Sequence, residues 1–207
     1  ALAASAWVSD SMKYEPAQMG RMSEEMRTRK DLTLDDAKAI QKEATLVRAV
    51  AIAVSVSVFE PVEIKFMNNK VDTAQVIGMN ESWPTVMSVY LPKMGRFITE
   101  AELNHSSRVC MLGSDLADSL FPNLDPLGKE IRVGNEAFTV VGVLNKRGQM
   151  FGQSRDNFVG LPLTTLRKYF RYDNDRMEII TDPRSKDTLG SKIEQIRNVL
   201  RHRRKVP

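Results

Sequence analysis

The side chains with the broadest chemical reactivity in this 207-residue chain are two histidines and one cysteine. His105 and His202 are far apart in the sequence, and neither has a second ligand or a nucleophile nearby at a spacing typical of zinc or acid–base sites. Cys110 lies in the apolar run "RVCML", where a cysteine usually behaves as a small buried side chain. We therefore expect no zinc site, no disulfide and no histidine-based catalysis.

The glycines and acidic residues also lack the spacing of catalytic motifs. Gly128-Lys129 has no upstream glycine of the kind that a phosphate-binding loop requires, and no G-x-S-x-G motif occurs. Asp35-Asp36 fit the first turn of a helix, where acidic side chains complement the helix dipole. Asp115 and Asp118 allow a metal pair, but the start of a helix with a solvated face is the favoured interpretation. The sequence thus predicts a protein that is not an enzyme and holds no cofactor.

Composition and charge are those of an ordinary globular chain. The apolar fraction is 42%, the charged fraction is 27% and the net charge is +4. The basic end from Arg197 to Lys205 allows three interpretations: a solvated helix end, a nucleic-acid arm or a segment next to a membrane. No aromatic residues are interleaved with these cations, so we expect no nucleic-acid partner. The chain has no apolar run long enough for a membrane span, and "ALAASAWV" lacks the features of a signal peptide.

The elements that must carry any site follow from periodicity and capping signals. Thr33 with Asp36 and Thr99 with Glu102 have the spacing of capping boxes at helix starts. The first half is predicted to contain a helix at 33–44, a strand at 47–58, a hairpin over 62–80 that turns at 68–70, and a short helix within 82–91. The second half is predicted to contain a strand and helix within 108–121, a hairpin that turns at Gly134-Asn135, a strand and helix within 157–170, a strand at 176–181 and a helix at 189–203.

One loop stands out between two predicted strands in the segment from Phe138 to Leu163. It contains Lys146 and Arg147, and then Gln149, Met150, Phe151 and Gly152. Methionine is adaptable and phenylalanine offers a large contact area, both of which suit a protein interface. We predict that residues 149–152 form a projecting partner-binding loop. The alternative is that Phe151 folds back into the domain's own core.

Several short motifs follow one another in a definite order along the chain: Gly95-Arg96-Phe97, Val109 to Gly113, Leu120-Phe121, Asp125 to Lys129, Ile131, and Phe138 to Val143. Their order and spacing resemble the MacB-like periplasmic core domain of MacB- and FtsX-type ABC transporter permeases. The resemblance covers about residues 31–205 and excludes the polar, methionine-rich lead-in at 1–30.

The resemblance implies an α+β fold with two subdomains. A porter-like α/β subdomain would be formed by two chain segments, 31–91 plus 162–207, and a small mixed α/β subdomain, 92–161, would be inserted in it. The helix at 189–203 should then pack near the helix at 33–44 or the strand at 47–58. The resemblance places this fragment on the periplasmic side of the inner membrane and the full protein within that membrane.

The implied partners are a second permease copy, an ABC ATPase subunit or domain acting through the membrane part, and a periplasmic adaptor protein. The function favoured by the resemblance is engagement of substrate or adaptor and relay of ATP-driven motion during export. One alternative is an extracytoplasmic signalling domain of an FtsX-like permease that regulates a partner protein. The other is an unrelated soluble enzyme, against which the missing catalytic motifs argue.

Overall fold

The fold was analysed in a computed structural model that describes residues 33–56, 62–150, 153–170, 172–183 and 189–204. The lead-in predicted at 1–30 lies outside these residues. The helices are α1 (Leu34–Glu43), α2 (Trp83–Val86), α3 (Glu100–Asn104), α4 (Ser114–Leu120), α5 (Leu163–Tyr169) and α6 (Leu189–Arg204), with a 3-10 turn at Ser88–Tyr90. None of these helices is long and apolar enough to cross a membrane.

Ten strands form one mixed sheet. They are β1 (Val47–Val56), β2 (Ile64–Phe66), β3 (Asn69–Val71), β4 (Gln75–Met79), β5 (Pro92–Gly95), β6 (Val109–Leu112), β7 (Glu130–Val133), β8 (Glu136–Leu144), β11 (Phe158–Pro162) and β12 (Tyr172–Pro183); the short strands β9 (Gln149–Met150) and β10 (Gln153–Ser154) form a separate pair. The order is β12-β1-β4-β11-β6-β8-β7-β2-β3, and β5 pairs with β8. The pairs β4–β11 and β6–β8 are parallel, and the other pairs are antiparallel. The predicted α+β class is confirmed.

Both predicted capping boxes start helices. In α1, the Thr33 backbone N–H donates to Asp36 Oδ2 at 3.0 Å, and the Asp36 N–H donates to Thr33 Oγ1 at 3.2 Å. Thr99 and Glu102 make the same exchange at the start of α3, at 2.9 and 3.3 Å. Each exchange satisfies backbone donors that a helix start leaves without intrahelical partners.

The two faces of the sheet are covered unequally. The larger core lies under α1, α4, α5 and α6, and it contains residues such as Ile40, Leu116 and Ile196. The opposite face carries a smaller cluster in which Trp83 of α2, Ile98 and Phe158 are buried. The short α2 and the 3-10 turn therefore cover this second face of the sheet.

The segment 62–80 forms a shorter hairpin than predicted. β2 and β3 pair around a turn at Met67-Asn68, whereas β4 leaves them and lies between β1 and β11. Val76 belongs to the larger core and Met79 to the smaller cluster on the opposite face. Because β4 is apolar on both faces, a position inside the sheet buries more of its apolar side-chain surface than a position at the end of a hairpin would.

The C-terminal helix packs on the N-terminal part of the chain, as predicted. α6 contacts α1, the Leu46 N–H donates to Gln195 Oε1 at 3.1 Å, and Arg203 Nε lies 3.3 Å from Asp36 Oδ1. β2 pairs with β7, so strands from both predicted subdomains share the sheet. The boundaries 31–91 plus 162–207 and 92–161 stay a prediction.

Candidate functional site: a hairpin on a buried clamp

The predicted partner-binding loop begins as a small hairpin outside the main sheet. β9 and β10 pair antiparallel, with Met150 opposite Gln153 and Gln149 opposite Ser154. Gln149 and Met150 thus form the first strand of this pair, while Phe151 and Gly152 lie outside the described residues. Whether Phe151 faces a partner or the core stays a prediction.

A buried carboxylate lies at the base of this hairpin. The Asp156 side chain is 1% exposed and pairs with Arg147 Nε at 3.1 Å. Its two oxygens also accept the Arg147 backbone N–H at 3.0 and 2.9 Å, and Oδ2 accepts the Gly148 N–H at 2.8 Å. Charge-assisted bonds of this kind are stronger than neutral ones. Asp156 therefore ties together the two chain segments that enter and leave the hairpin.

The guanidinium of Arg147 is held between two aromatic rings. Its Cζ lies 5.0 Å from the centroid of the Tyr90 ring and 4.6 Å from that of Phe158. Nη1 also donates to the Tyr90 hydroxyl at 2.8 Å. Arginine suits this place because its planar cation stacks on rings while its edge donates hydrogen bonds. We call Tyr90, Arg147, Asp156 and Phe158 the clamp.

Burial shapes the electrostatics of the clamp. The Arg147 side chain is 9% exposed, so the ion pair is largely removed from water. Burial raises the pKa of Tyr90, although the Arg147 cation opposes this rise. The tyrosine is therefore a neutral hydrogen-bond acceptor for Arg147 under ordinary conditions.

Gly113, which joins β6 to α4, allows this connection to lie directly against the backbone of Asp156. A Cβ on Gly113 would lie 2.2 Å from the backbone oxygen of Asp156, too close for any side chain. The Gly113 N–H donates to the Phe158 oxygen at 2.9 Å, and the Leu116 N–H donates to the Asp156 oxygen at 3.3 Å. The backbone around Asp156 is thus fixed against β6 and α4.

A second, more exposed contact reaches the hairpin from α4. Ser154 Oγ donates to Asp115 Oδ2 at 2.5 Å, and Lys146 Nζ lies 3.3 Å from Asp115 Oδ1. The hydrogen bond from Ser154 is the main reason why the pKa of Asp115 lies below its usual value. Asp115 therefore braces the hairpin from the first turn of α4, where the sequence predicted a helix start.

The other side of the clamp is connected to strand β1, which lies next to the edge strand β12. Trp83 Nε1 donates to the Ile52 oxygen at 2.8 Å, and the Trp83 and Tyr90 ring centroids are 4.5 Å apart. The Asn80 side chain accepts the Ile52 N–H and donates to the Val50 oxygen, each at 2.8 Å. Tyr90 is thus positioned by a segment whose Asn80 and Trp83 side chains are hydrogen-bonded to the backbone of β1.

The remaining candidate side chains occupy separate elements. His105 caps α3 and its Nδ1 lies 2.7 Å from the Ala101 oxygen, whereas His202 is exposed on α6. Cys110 is fully buried in β6, and burial raises the pKa of its thiol. Within the part of the chain that the structure describes, no group of three His, Cys, Asp or Glu side chains could hold a metal ion.

Sequence reasoning identified the hairpin but missed the acidic half of its clamp. Arg147 was noted as a loop residue, but Asp156 and Tyr90 were not singled out. One signal was available: Arg147 and Asp156 carry opposite charges on either side of the predicted loop. The contribution of Tyr90 could not be found in this way, because it is distant in sequence.

The amino-acid sequence is similar to those of macrolide export proteins. A MacB ("Macrolide export ATP-binding/permease protein") of Neisseria gonorrhoeae is 31% identical over 137 residues, which are 66% of this chain and 20% of the relative. The protein of the same name from Syntrophobacter fumaroxidans is 39% identical over 74 residues, which are 35% of this chain and 10% of the relative. The chain thus spans a fifth or less of the length of these relatives.

Solved structures share the fold. The extracellular domain of the ABC-type transporter YknZ from Gram-positive bacteria superimposes with a TM-score of 0.68 at 19% identity and covers 86% of each chain. The periplasmic region of MacB from Actinobacillus actinomycetemcomitans gives a TM-score of 0.67 at 18% identity, over 88% of this chain and 80% of that one. The profile of the MacB-like periplasmic core domain family matches residues 3–199. The chain belongs to the MacB-like periplasmic core domain family.

Proposed function

We propose that this chain is the extracytoplasmic domain of an ABC transporter permease, and that it contacts a partner through the hairpin at 149–154. The partner is a second permease copy or a periplasmic adaptor, and an ABC ATPase supplies energy through the membrane part of the full protein. Membership of the family supports the location and the transport context. The relatives named above are ATP-binding/permease proteins, which supports a coupled ATPase.

The main support for the hairpin's role is that it lies outside the main sheet and is nevertheless held at its base by a buried ion pair. β9 and β10 lie outside the ten-stranded sheet, yet the buried pair of Arg147 and Asp156 holds their base. A loop that only connects two strands needs no such support, since loops tolerate mobility. Fixing a loop before it binds lowers the entropy lost on association. A clamped hairpin therefore suits a contact surface better than a simple connection.

The location is tested by labelling the full-length permease in intact cells. Asn104 is exposed at the end of α3, while Cys110 is buried and provides an internal negative control. In a full-length background in which cysteines outside this domain are replaced by serine, Asn104→Cys should react with a membrane-impermeant maleimide in intact cells, and the same background with Asn104 should not. Labelling that requires cell lysis would place the domain on the cytoplasmic side and refute the proposal.

The hairpin's role is tested by the double substitution Met150→Ser with Phe151→Ser. In the full-length protein we expect loss of co-purification with the partner, while the melting temperature of the isolated domain is unchanged. The control is Met67→Ser, at the exposed turn between β2 and β3. If the double variant lowers the melting temperature of the domain, the hairpin side chains are part of its core and the contact role fails.

A further inference from the structure

We infer that Met67 and Leu124 form a contact between two copies of this chain, in which each copy presents the same two side chains to the other. We call these two residues the turn patch. The inference rests on the proposed function, because the second copy must be held nearby by the membrane part of the full protein. The turn patch lies on other elements than the hairpin at 149–154, so it adds a separate surface to the proposed assembly.

Met67 combines two features that are unfavourable for a folded domain on its own. Its side chain is 83% exposed, the highest value among the large apolar residues that the structure describes. Its φ of 49° lies in the left-handed region, which glycine adopts freely and methionine adopts at a cost. A glycine at this turn would remove both the exposed apolar surface and the strain. Residues of this kind persist mainly where a contact or another function requires them.

Leu124 lies on a second turn that is fastened to the first. Its side chain is 54% exposed. The rings of Phe66 and Phe121, one from each turn, have centroids 4.2 Å apart, and both are buried in the larger core. Asn69 Nδ2 also donates to the Leu120 oxygen at 2.8 Å. The two exposed side chains are therefore carried by one rigid base, and a partner that touches one turn lies within reach of the other.

The surroundings of the turn patch carry no excess of positive charge. Neither turn contains a charged residue: their sequences are FMNN and FPNL. The cations that flank the first turn, Lys65 and Lys70, both pair with Glu63, and Lys70 also lies 4.0 Å from Asp72. After the second turn, the Asp125 carboxylate accepts a backbone N–H at 2.9 Å. An acidic partner or an anionic lipid surface therefore gains no electrostatic advantage at this site.

The size of the patch and its uncharged turns favour a second copy that is held close by. Two side chains bury far less than the roughly 1,000 Å² that a specific interface between free proteins needs, so a freely diffusing partner would not stay bound here. A copy anchored in the same membrane assembly has an effective concentration in about the millimolar range, at which a small contact forms. Around a two-fold axis, the apolar side chains of the two copies then meet each other.

The test is cysteine crosslinking of the full-length permease in native membranes, in a background in which cysteines outside this domain are replaced by serine. Met67→Cys and Leu124→Cys should each yield a covalent dimer with a short bifunctional maleimide. The control is Asn104→Cys at the exposed end of α3, which should react with a monofunctional maleimide but give severalfold less dimer. Two differently tagged copies should co-purify in every variant, Met67→Ser included, because the contact orients the copies and does not hold them together.

Charge substitutions test the chemistry of the contact. In the Leu124→Cys background, Met67→Glu and Met67→Lys should each reduce the dimer severalfold, because like charges then face each other across the two-fold axis. Co-expression of one copy with each substitution should restore the dimer, because opposite charges then meet. The side chain at 67 is exposed, so the isolated domain should melt near the temperature of the parent in both variants.

Each other outcome contradicts the inference in a recognisable way. Thiols that react at both positions but give no dimer refute the contact, and equal dimer formation from Asn104→Cys refutes its specificity. Opposite effects of Met67→Glu and Met67→Lys show a charged occupant in place of a second copy. These results leave the labelling of Asn104→Cys in intact cells unaffected. Failure of the proposed function appears instead as labelling that requires lysis, or as copies that do not co-purify.

Discussion

Substitution of Asp156 by asparagine provides the sharpest test of the clamp. The change keeps the shape of the side chain but leaves the Arg147 cation buried without its counter-charge. Because the two side chains are 1% and 9% exposed, solvent screening gives little relief. Breaking a buried pair by removing one partner costs about 3–5 kcal/mol. For a domain of this size, that loss corresponds to a fall in melting temperature of roughly 6–20 °C.

The assay is thermal and urea unfolding of Asp156→Asn, Arg147→Met and the double variant. We expect the double variant to lose less stability than the sum of the two single variants, because no uncompensated charge remains buried in it. The difference should be about 0.5–3 kcal/mol, the range for residues in direct contact. Lys146→Met is the matched control: the pair of Lys146 with Asp115 is exposed, and exposed pairs contribute about 0–1 kcal/mol.

Amide hydrogen exchange shows whether Asp156 stabilises the hairpin alone or the whole domain. In Asp156→Asn, the amides of residues 149–154 should exchange faster than those of β1 under conditions in which most molecules are folded. The reasoning is refuted if Asp156→Asn unfolds within about 1 kcal/mol of the parent, or if the two single effects are additive. In either case the carboxylate and the guanidinium would not form the buried pair on which the hairpin depends.

Three further substitutions probe other features of the fold. Gly113→Ala should lower the melting temperature by far more than 5 °C or prevent folding, since its Cβ would lie 2.2 Å from the Asp156 oxygen. The hydrogen bond from Arg96 holds the pKa of Glu102 at about 2, below its usual 4.5, so the stability from this carboxylate is present above pH 4.5 and is lost as the pH falls toward 2. The melting temperature of Glu102→Gln should therefore fall less steeply across that pH range than that of the parent. Met67→Gly should raise the free energy of unfolding in urea by roughly 0.5–1 kcal/mol, because Met67 has a φ of 49° in an exposed turn; an unchanged or lower value would contradict this reasoning.

Local signals in the sequence predicted most of the helices and several strands. The capping boxes that begin at Thr33 and Thr99 involve residues three positions apart, so their geometry depends little on the rest of the chain. The one-sided apolar pattern of α6 likewise required a covering element, and the family resemblance indicated that the N-terminal part of the chain supplies it, as α1 does. These features were predictable because each arises from interactions within a short segment or from burial of one face.

The periodicity of apolar residues could not predict which strands pair with each other when they are distant in the sequence. The alternation in 62–80 identified strands but not their neighbours, and β4 was therefore assigned to a hairpin that it does not join. The same limit applies to the clamp, in which Tyr90 meets a loop 57 positions later in the chain. A hydrogen bond of this kind depends on the folded sheet, and no local pattern of residue types encodes it.

The geometry of the clamp gives a physical reason for a buried charge pair at the base of the hairpin. Replacing such a pair by apolar residues is often neutral or stabilising, so stability alone does not account for it. Arg147 and Asp156 fix the direction of the hairpin, since their bonds have defined geometry, whereas apolar packing would permit several orientations. Tyr90 contacts Trp83, and Trp83 is hydrogen-bonded to β1, so these two residues connect the base of the hairpin to the main sheet. If the sole role of the pair were stability, an apolar double variant would bind the partner normally at any temperature at which the variant is fully folded. We expect it to bind more weakly even there, because the hairpin would then have to be ordered on binding.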